Sequence, residues 1–211
     1  MGGFGGEPIA IVGAACRLPG GIGDLDGLWR ALEAGRDLVT SVPSDRFDVR
    51  RFVDDRNPRA DKSYTAAGAF LDDVTGFDAG YFGISPKEAS QLDPQHRLLL
   101  ELAVEAVDDA GVDPAALGGS DTGVFVGICD TSYGAMKMLS PGLGNAYTMA
   151  GGALSMAANR LSHFLDLRGP SRQWHHCDVA QQLGPEPAKP EDQRRDDANA
   201  PRRDEQLHPR R

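Results

Sequence analysis

The sequence lacks any run of about 20 consecutive apolar residues, the length that a helix needs to cross a bilayer. Its first six residues include neither the basic nor the apolar region of a secretory signal. Basic side chains are also in deficit: 22 Lys and Arg stand against 31 Asp and Glu, giving a formal net charge of -9. This balance gives no positive footprint for nucleic acid. We therefore expect a cytoplasmic protein that binds neither membranes nor nucleic acid.

Cysteine is scarce as well. The three cysteines, Cys16, Cys129 and Cys177, are odd in number and widely spaced, which favours reduced thiols over a disulfide framework. Cys177 follows His175 and His176, but adjacent ligands leave a zinc ion too few donors, and the surrounding segment has little apolar content to hold a geometry. We expect no bound metal. Phosphate-loop and dinucleotide-binding patterns are missing too, so we expect no directly bound cofactor.

Large apolar side chains almost disappear after Ser171. Residues 172–211 contain four of them, among five prolines and a dense mixture of Arg, Asp and Glu. Such a segment cannot bury enough surface to offset a backbone entropy of about 1–2 kcal/mol per ordered residue. The composition predicts a flexible N-terminus over residues 1–6, a folded part over residues 7–171 and a disordered tail over residues 172–211.

The predicted disorder has a direct test in limited proteolysis. Trypsin should cut first in the tail, at Arg194, Arg195, Arg202 and Arg203, long before it cuts the folded part. Mass spectrometry of the early fragments measures the order of cleavage. Protection of these arginines equal to that of the folded part would show that the tail is folded.

Within residues 7–171, strand-like and helix-like segments alternate, which is typical of an α/β protein. Residues 8–13 and 123–128 are short apolar runs of the kind that form buried strands. Between them, residues 41–78 show no clean period and predict a long packed excursion with little regular structure. Residues 149–159, rich in Ala, Gly and Met, predict a buried helix, and residues 161–167 predict the start of a last strand.

Three polar residues mark the expected helix starts. Asp24 precedes a helical pattern that ends near Gly35, and Ser85 opens a capping box with Glu88. Asp93 precedes a proline, where we expect the helix to pause and resume. Asp93 and Arg97 are accordingly given structural rather than catalytic roles: Asp93 caps the helix, and Arg97 pairs either locally or across an interface. Cys16 and His163 are expected to be packing residues.

Four sequence blocks, in order, resemble the N-terminal half of a β-ketoacyl synthase (ketosynthase) domain of a modular type I polyketide synthase. They are residues 7–13 with 15–21 (EPIAIVG, ACRLPGG), 82–89 (FGISPKEA), 93–101 (DPQHRLLLE) and 159–162 with 167–171 (NRLS, LRGPS). The resemblance implies the thiolase fold, in which two similar halves form a five-layer αβαβα sandwich that dimerises. This chain would supply a partial thiolase-like fold, the first βαβαβ half.

The resemblance ends before the family's nucleophile. In relatives the LRGPS block leads into a buried strand and an elbow written Asp-Thr-Ala-Cys-Ser-Ser-Ser, whereas here it leads into residues 172–178 (RQWHHCD). In the family the cysteine thiolate attacks an acyl thioester, and two histidines of the second half promote decarboxylation of a malonyl-type extender. We therefore assign no catalytic residue, and Cys177 does not match the family's nucleophile in its flanking residues or register.

The resemblance also implies ligands and partners. Ala150 and Gly151 fall where relatives place Thr-Gly near the substrate tunnel, so they are the predicted substrate-binding residues. Substrates in the family are carried on the phosphopantetheine of an acyl carrier protein, and intact relatives form homodimers beside other synthase domains. Two hypotheses remain. The chain is either a ketosynthase fragment whose reading frame changed after Ser171, or a non-catalytic module that binds a synthase subunit or an acyl carrier protein.

Overall fold

The computed structural model describes residues 8–54, 61–128, 130–140, 142 and 144–174. Within these ranges the chain forms eight helices and four strands. The helices are α1 (Leu25–Glu33), α2 (Val49–Phe52), α3 (Pro86–Ala89), α4 (Pro94–Asp109), α5 (Pro114–Leu117), α6 (Ser132–Leu139), α7 (Thr148–Gly152) and α8 (Met156–Phe164). The strands are β1 (Thr40–Ser41), β2 (Ala67–Gly68), β3 (Val124–Gly127) and β4 (Ser171–Trp174).

Strands β3 and β4 form a parallel pair at the centre of the described structure. The register aligns Val124 with Ser171 and Gly127 with Trp174. The other pair, β1 with β2, is antiparallel and only two residues long, which confirms the irregular excursion predicted between residues 41 and 78. The strand predicted at residues 123–128 is confirmed as β3, with Val126 and Ile128 buried.

The core lies between the β3–β4 pair and the two long helices α4 and α8. Its fully buried members are aliphatic and come from all three parts: Leu100, Val126, Ile128, Leu154, Ala157, Ala158 and Leu161. Four partly buried phenylalanine and isoleucine side chains pack against one side of it: Phe77, Phe82, Ile84 and Phe164. The burial of Leu154 and Leu161 confirms a buried helical region here.

That region differs from its prediction in two respects. The single helix predicted over residues 149–159 is two helices, because the chain turns extended at Ala153, after the two glycines at the end of α7. The strand predicted over residues 161–167 is wrong, since its first half continues α8 and places Leu161 and Leu165 four residues apart on one buried face. The strand comes later, as β4.

The predicted helix starts are confirmed. The Asp24 side chain accepts a hydrogen bond from the Gly27 amide at 2.6 Å, and α1 ends at Glu33. The Ser85 hydroxyl accepts from the Glu88 amide at 3.2 Å and begins the single-turn helix α3. The chain then breaks and α4 begins at Pro94, so the pause predicted at residues 93 and 94 is also confirmed.

The strand predicted over residues 8–13 is wrong within the described structure. No described strand pairs with this segment, and Ile9, Ile11 and Val12 are 95%, 89% and 72% exposed. The chain is instead fixed just afterwards by α4. The Ala14 amide donates to the Asp109 carboxylate at 2.9 Å, and a Cβ at Gly13 would lie 2.3 Å from the Ala106 carbonyl oxygen. The apolar run therefore lacks the hydrogen-bonded neighbour that a strand requires.

The boundary expected after Ser171 falls three residues too early. Arg172, Gln173 and Trp174 continue β4, and the Trp174 ring stacks on Phe125 with centroids 5.8 Å apart. The average composition of residues 172–211 did not indicate this short strand. Its backbone amides and carbonyls form their hydrogen bonds by pairing with β3. The chain divides into two units slightly further on, Met1–His176 and Cys177–Arg211. The flexible N-terminus and the disordered tail beyond residue 174 are predictions on residues outside the described ranges.

Candidate functional site

The β3–β4 pair ends at one edge, where both strands present their carboxyl ends. Gly127 lies level with Trp174, and the Ile128 amide donates to the Trp174 carbonyl at 3.2 Å. In open α/β sheets, ligands bind outside the carboxyl ends of parallel strands, because loops and helix N-termini converge there. We call this region the carboxyl edge, and it is the natural place for a site in this fold.

The N-terminus of α4 closes one side of the carboxyl edge. The Gln95 side-chain amide donates to the Asp130 carbonyl at 2.9 Å, which fixes the loop that follows β3. It also lies 3.2 Å from the Asp93 carboxylate, which caps α4 by accepting from the Gln95 backbone amide at 2.9 Å. Asp93 is only 1% exposed. The predicted capping role of Asp93 is therefore confirmed, and Gln95 is a contact that sequence reasoning missed.

The loop held by Gln95 leads directly into α6. Asp130 accepts a hydrogen bond from the Ser132 amide at 2.8 Å and another from its hydroxyl. Both bonds stabilise the charged form of the Asp130 carboxyl and so hold its pKa below the ordinary value. The bond from the Ser132 hydroxyl has the larger effect, and the bond from the Ser132 amide the smaller one. Asp130 thus carries a negative charge at neutral pH, close to the positive end of the α6 dipole.

The predicted substrate-binding residues lie on α7, behind the α4 N-terminus. The Gly151 carbonyl accepts from the Asp93 amide at 2.9 Å, and a Cβ at Gly151 would lie 2.5 Å from the Gln91 carbonyl oxygen. Ala150 is half-buried, and its carbonyl accepts from the Arg160 guanidinium at 3.3 Å. These contacts give both residues packing roles. Their role in substrate binding stays a prediction.

One buried and one partly buried polar contact tie α7 and α8 to the segment before α4. The Thr148 hydroxyl donates to the Gln91 side-chain oxygen at 2.9 Å, inside the structure. The Arg160 guanidinium pairs with the Glu88 carboxylate at 2.8 Å, with 13% and 23% of the two side chains exposed. Glu88 therefore uses its carboxylate on Arg160, and only the Ser85 half of the predicted capping box is seen as a hydrogen bond.

Beside the Arg160–Glu88 pair lies a cavity of about 390 Å³. Its walls combine the two charged side chains with the aromatic rings of Phe82 and Phe164, whose centroids are 4.8 Å apart. His163 stands at this cavity and is exposed, so its prediction as a packing histidine is wrong. Residue 163 falls on the outer side of α8, whereas Leu161 and Leu165 take the buried side.

Nucleophiles and metal ligands are sparse in the described part of the chain. Cys16 is the one cysteine within it, half-buried and reduced. Within the same ranges no three His, Cys, Asp or Glu side chains gather closely enough to hold a metal ion. None of the helices found there is long and apolar enough to cross a membrane. His175, His176 and Cys177 lie outside the described residues.

Comparison with protein families identifies the family to which the chain belongs. The model of the β-ketoacyl synthase N-terminal domain matches residues 6–174, which is most of the chain and ends at the last residue of β4. The chain belongs to the β-ketoacyl synthase family. The match extends past the boundary expected at Ser171 by the same three residues that complete the strand.

Polyketide synthases are similar to this chain over most of its length. The phenolphthiocerol synthesis polyketide synthase type I Pks15/1 of Mycobacterium bovis is 49% identical over 166 residues, and polyketide synthase GfsB of Streptomyces halstedii is 46% identical over 166 residues. Each alignment covers 78% of this chain but only 8% and 3%, respectively, of the relative. The chain thus spans a small fraction of the length of these relatives.

Solved ketosynthase structures show the fold. The oxazolomycin ketosynthase domain KS7 of Streptomyces albus superposes with a TM-score of 0.71 at 39% identity, over 82% of this chain and 30% of that domain. The ketosynthase from module 6 of the bacillaene synthase of Bacillus subtilis gives 0.65 at 31% identity, over 79% and 26%. The described residues therefore form a partial thiolase-like fold of the ketosynthase type.

Proposed function

We propose that the chain is the front part of a polyketide-synthase ketosynthase and that these 211 residues catalyse no condensation by themselves. The observation that carries the proposal is the end of the family match at Trp174, at the carboxyl edge of the β3–β4 pair. Residues 175–178 then read HHCD, where the family has its cysteine elbow. The family's elbow sets its cysteine at a helix N-terminus, which lowers the thiol pKa, beside amides that bind an oxyanion, and the sequence HHCD does not match that motif.

The family's reaction is a decarboxylative Claisen condensation of an acyl thioester with a malonyl-type thioester. Its substrates would reach the domain on the phosphopantetheine of an acyl carrier protein, with neighbouring synthase domains and a second ketosynthase as structural partners. We extend this description to the parent synthase as a cytoplasmic enzyme. The 211-residue chain would contribute the α4, α7 and α8 frame of the carboxyl edge without a nucleophile on it.

The test is acylation of the purified chain. We expect no condensation product and no stable, stoichiometric transfer from a radiolabelled acyl thioester, while an intact ketosynthase domain assayed in parallel is labelled. Cys16→Ala, Cys129→Ala and Cys177→Ala variants locate any thiol that does react. Stoichiometric labelling that persists in Cys16→Ala and disappears in Cys177→Ala would overturn the proposal, because Cys177 would then serve as the nucleophile.

A second candidate is a non-catalytic module that binds a synthase subunit or an acyl carrier protein. It is favoured by the apolar side chains that the described structure leaves exposed, above all Ile9, Ile11 and Phe125. The nucleotide sequence distinguishes the two candidates. A shifted frame downstream of Ser171 that encodes the missing cysteine elbow and both histidines supports the fragment, whereas an intact frame ending in the present tail supports the module.

A further inference from the structure

His96 is a buried histidine that neither the fold nor the proposed function accounts for. It lies in the first turn of α4 and is 1% exposed. Leu100 follows four residues later on the same helix face and belongs to the core shared with α8 and β3. His96 therefore sits at the end of that core nearest the carboxyl edge. Among the described residues, neither ring nitrogen has a hydrogen-bond partner.

The surroundings of the ring act against a proton mainly through burial, not through the neighbouring charges. Burial is the largest influence and lowers the pKa of His96 from its ordinary value, because a buried imidazolium loses its hydration. The Arg160 guanidinium on α8 lowers it further, and the Asp93 carboxylate at the start of α4 raises it. Position adds a fourth influence, since a cation in the first turn of a helix meets the positive end of the dipole.

One further charge contacts Arg160 itself. The Glu88 carboxylate of α3 is engaged with Arg160 in the ion pair described above. Strand β3 and helix α7 carry no ionisable side chain in their sequences, VFVG and TMAGG. Asp93 is thus the one group among those named whose interaction with His96 favours the charged ring.

We propose that His96 is an acid-sensitive latch between α4 and α8, closed while its ring is neutral and opened when the ring takes up a proton. A neutral imidazole leaves two unpaired polar nitrogens in the core, but an imidazolium there would in addition lose the hydration of its charge, so it must bear that larger cost or leave the core. Leaving the core separates the first turn of α4 from Arg160. It also disturbs Asp93 and Gln95, which hold Gly151 and the loop after β3.

The direction of the pH dependence follows from linkage. Because folding lowers the pKa of His96, the unfolded or opened state binds more protons at mildly acidic pH. The latch is fully closed above the ordinary imidazole pKa of about 6.5 and weakens as the pH falls through that value toward the lower pKa of the folded state. Opening should increase by up to about tenfold per pH unit in that window.

Amide hydrogen exchange tests the latch on the 211-residue chain, whatever its oligomeric state. We expect peptides from α4 and α8 to lose protection between pH 7.5 and pH 5, after correction for the intrinsic pH dependence of exchange. His96→Gln removes the titrating ring and keeps a polar side chain, so its protection should stay constant over that range. His163→Gln is the matched control, because residue 163 is exposed on α8, and it should behave as the parent does.

Exchange at the imidazole C2 carbon gives the titration of each histidine directly and does not require a folded variant. We expect His96 to titrate below the ordinary imidazole pKa of about 6.5. A His96 midpoint at or above that ordinary value would overturn the proposal. So would an equal loss of protection in His96→Gln and the parent, since the pH response would then come from another group.

Discussion

Replacing Gly151 by valine is expected to destabilise the fold by about 2–6 kcal/mol. A Cβ at this position would lie 2.5 Å from the Gln91 carbonyl oxygen and 2.8 Å from its carbon, both backbone atoms that cannot swing aside. Overpacking of this kind costs about 1–3 kcal/mol. Moving α7 to relieve it breaks the hydrogen bond from the Asp93 amide to the Gly151 carbonyl, and a buried unpaired amide costs about 1–3 kcal/mol more.

The measurement is the midpoint of thermal denaturation, together with the soluble yield of each variant. Gly23→Ala is the control, because a Cβ there meets no heavy atom within 4 Å, and it should melt close to the parent. A Gly151→Val variant as stable as Gly23→Ala would show that α7 can move away from Gln91 without loss.

The same experiment separates packing from the substrate role proposed for this segment. Ala150 precedes Gly151 and is only half-buried, so Ala150→Ser should leave stability nearly unchanged. If a reconstituted ketosynthase lost activity with Gly151→Val alone, the loss would follow from packing. A loss with the stable Ala150→Ser variant would instead support contact with the substrate.

The parts of the fold that sequence predicted are those specified by neighbouring residues. Asp24, Ser85 and Asp93 each cap a helix by accepting an amide hydrogen bond from two or three residues ahead, and such a signal is complete within a few positions. Strand β3 was equally clear, because three apolar residues lie between Gly123 and Gly127 and Ile128 follows. The four motif blocks added the family and the thiolase-like fold, which comparison confirmed.

The errors arose where a segment's state depends on distant partners. Residues 8–13 have the composition of a buried strand, but composition does not supply the neighbouring strand that would pair with them. Residues 161–167 satisfy both a strand pattern and a helix pattern, and packing against α4 and β3 selects the helix. The tail boundary was placed too early because β4 is stabilised by pairing with a strand 47 residues earlier in the chain.

The candidate site was the least predictable part for the same reason. Gln95 reaches Asp130 across 35 positions, and Glu88 reaches Arg160 across 72. Each residue lies in a recognised block or next to a predicted strand, so the blocks indicated which segments matter. They could not indicate that the Gln95 side-chain amide fixes the loop after β3. Nor could they indicate that the capping-box residue Glu88 forms an ion pair with Arg160 on another helix.

Expressed alone, the 211-residue chain is expected to be poorly soluble or to survive only as an oligomer. Ile9, Ile11 and Val12 leave most of their surface in water, and Phe125 is 56% exposed on the β3–β4 pair. Each large aliphatic side chain left exposed forgoes about 1.5–3 kcal/mol, so the first three together forgo about 5–9 kcal/mol. That is comparable with the whole stability of a typical domain, about 5–15 kcal/mol.

The exposed apolar side chains are confined to particular parts of the structure. Val126, Ile128, Leu154 and Leu161 are all buried in the core formed by α4, α8 and the strands. Two surfaces of the described residues are then left for association with other chains. They are the exposed run at residues 9–12 and the outer edges of the β3–β4 pair. Such pairs are normally covered on both faces, and unpaired strand edges recruit other chains.

Size-exclusion chromatography with a thermal melt measures the outcome, and a pair of variants locates its cause. Ile11→Lys places a charge in the exposed run and should raise the soluble, low-mass fraction several-fold. The control is Leu32→Lys, which changes an exposed residue on α1 (66% exposed). It should not raise the soluble, low-mass fraction, because Leu32 lies outside the run. A chain supplying the missing part of a ketosynthase should suppress association in the parent. A monomeric parent that melts sharply without such a partner would contradict the expectation and favour a self-sufficient binding module.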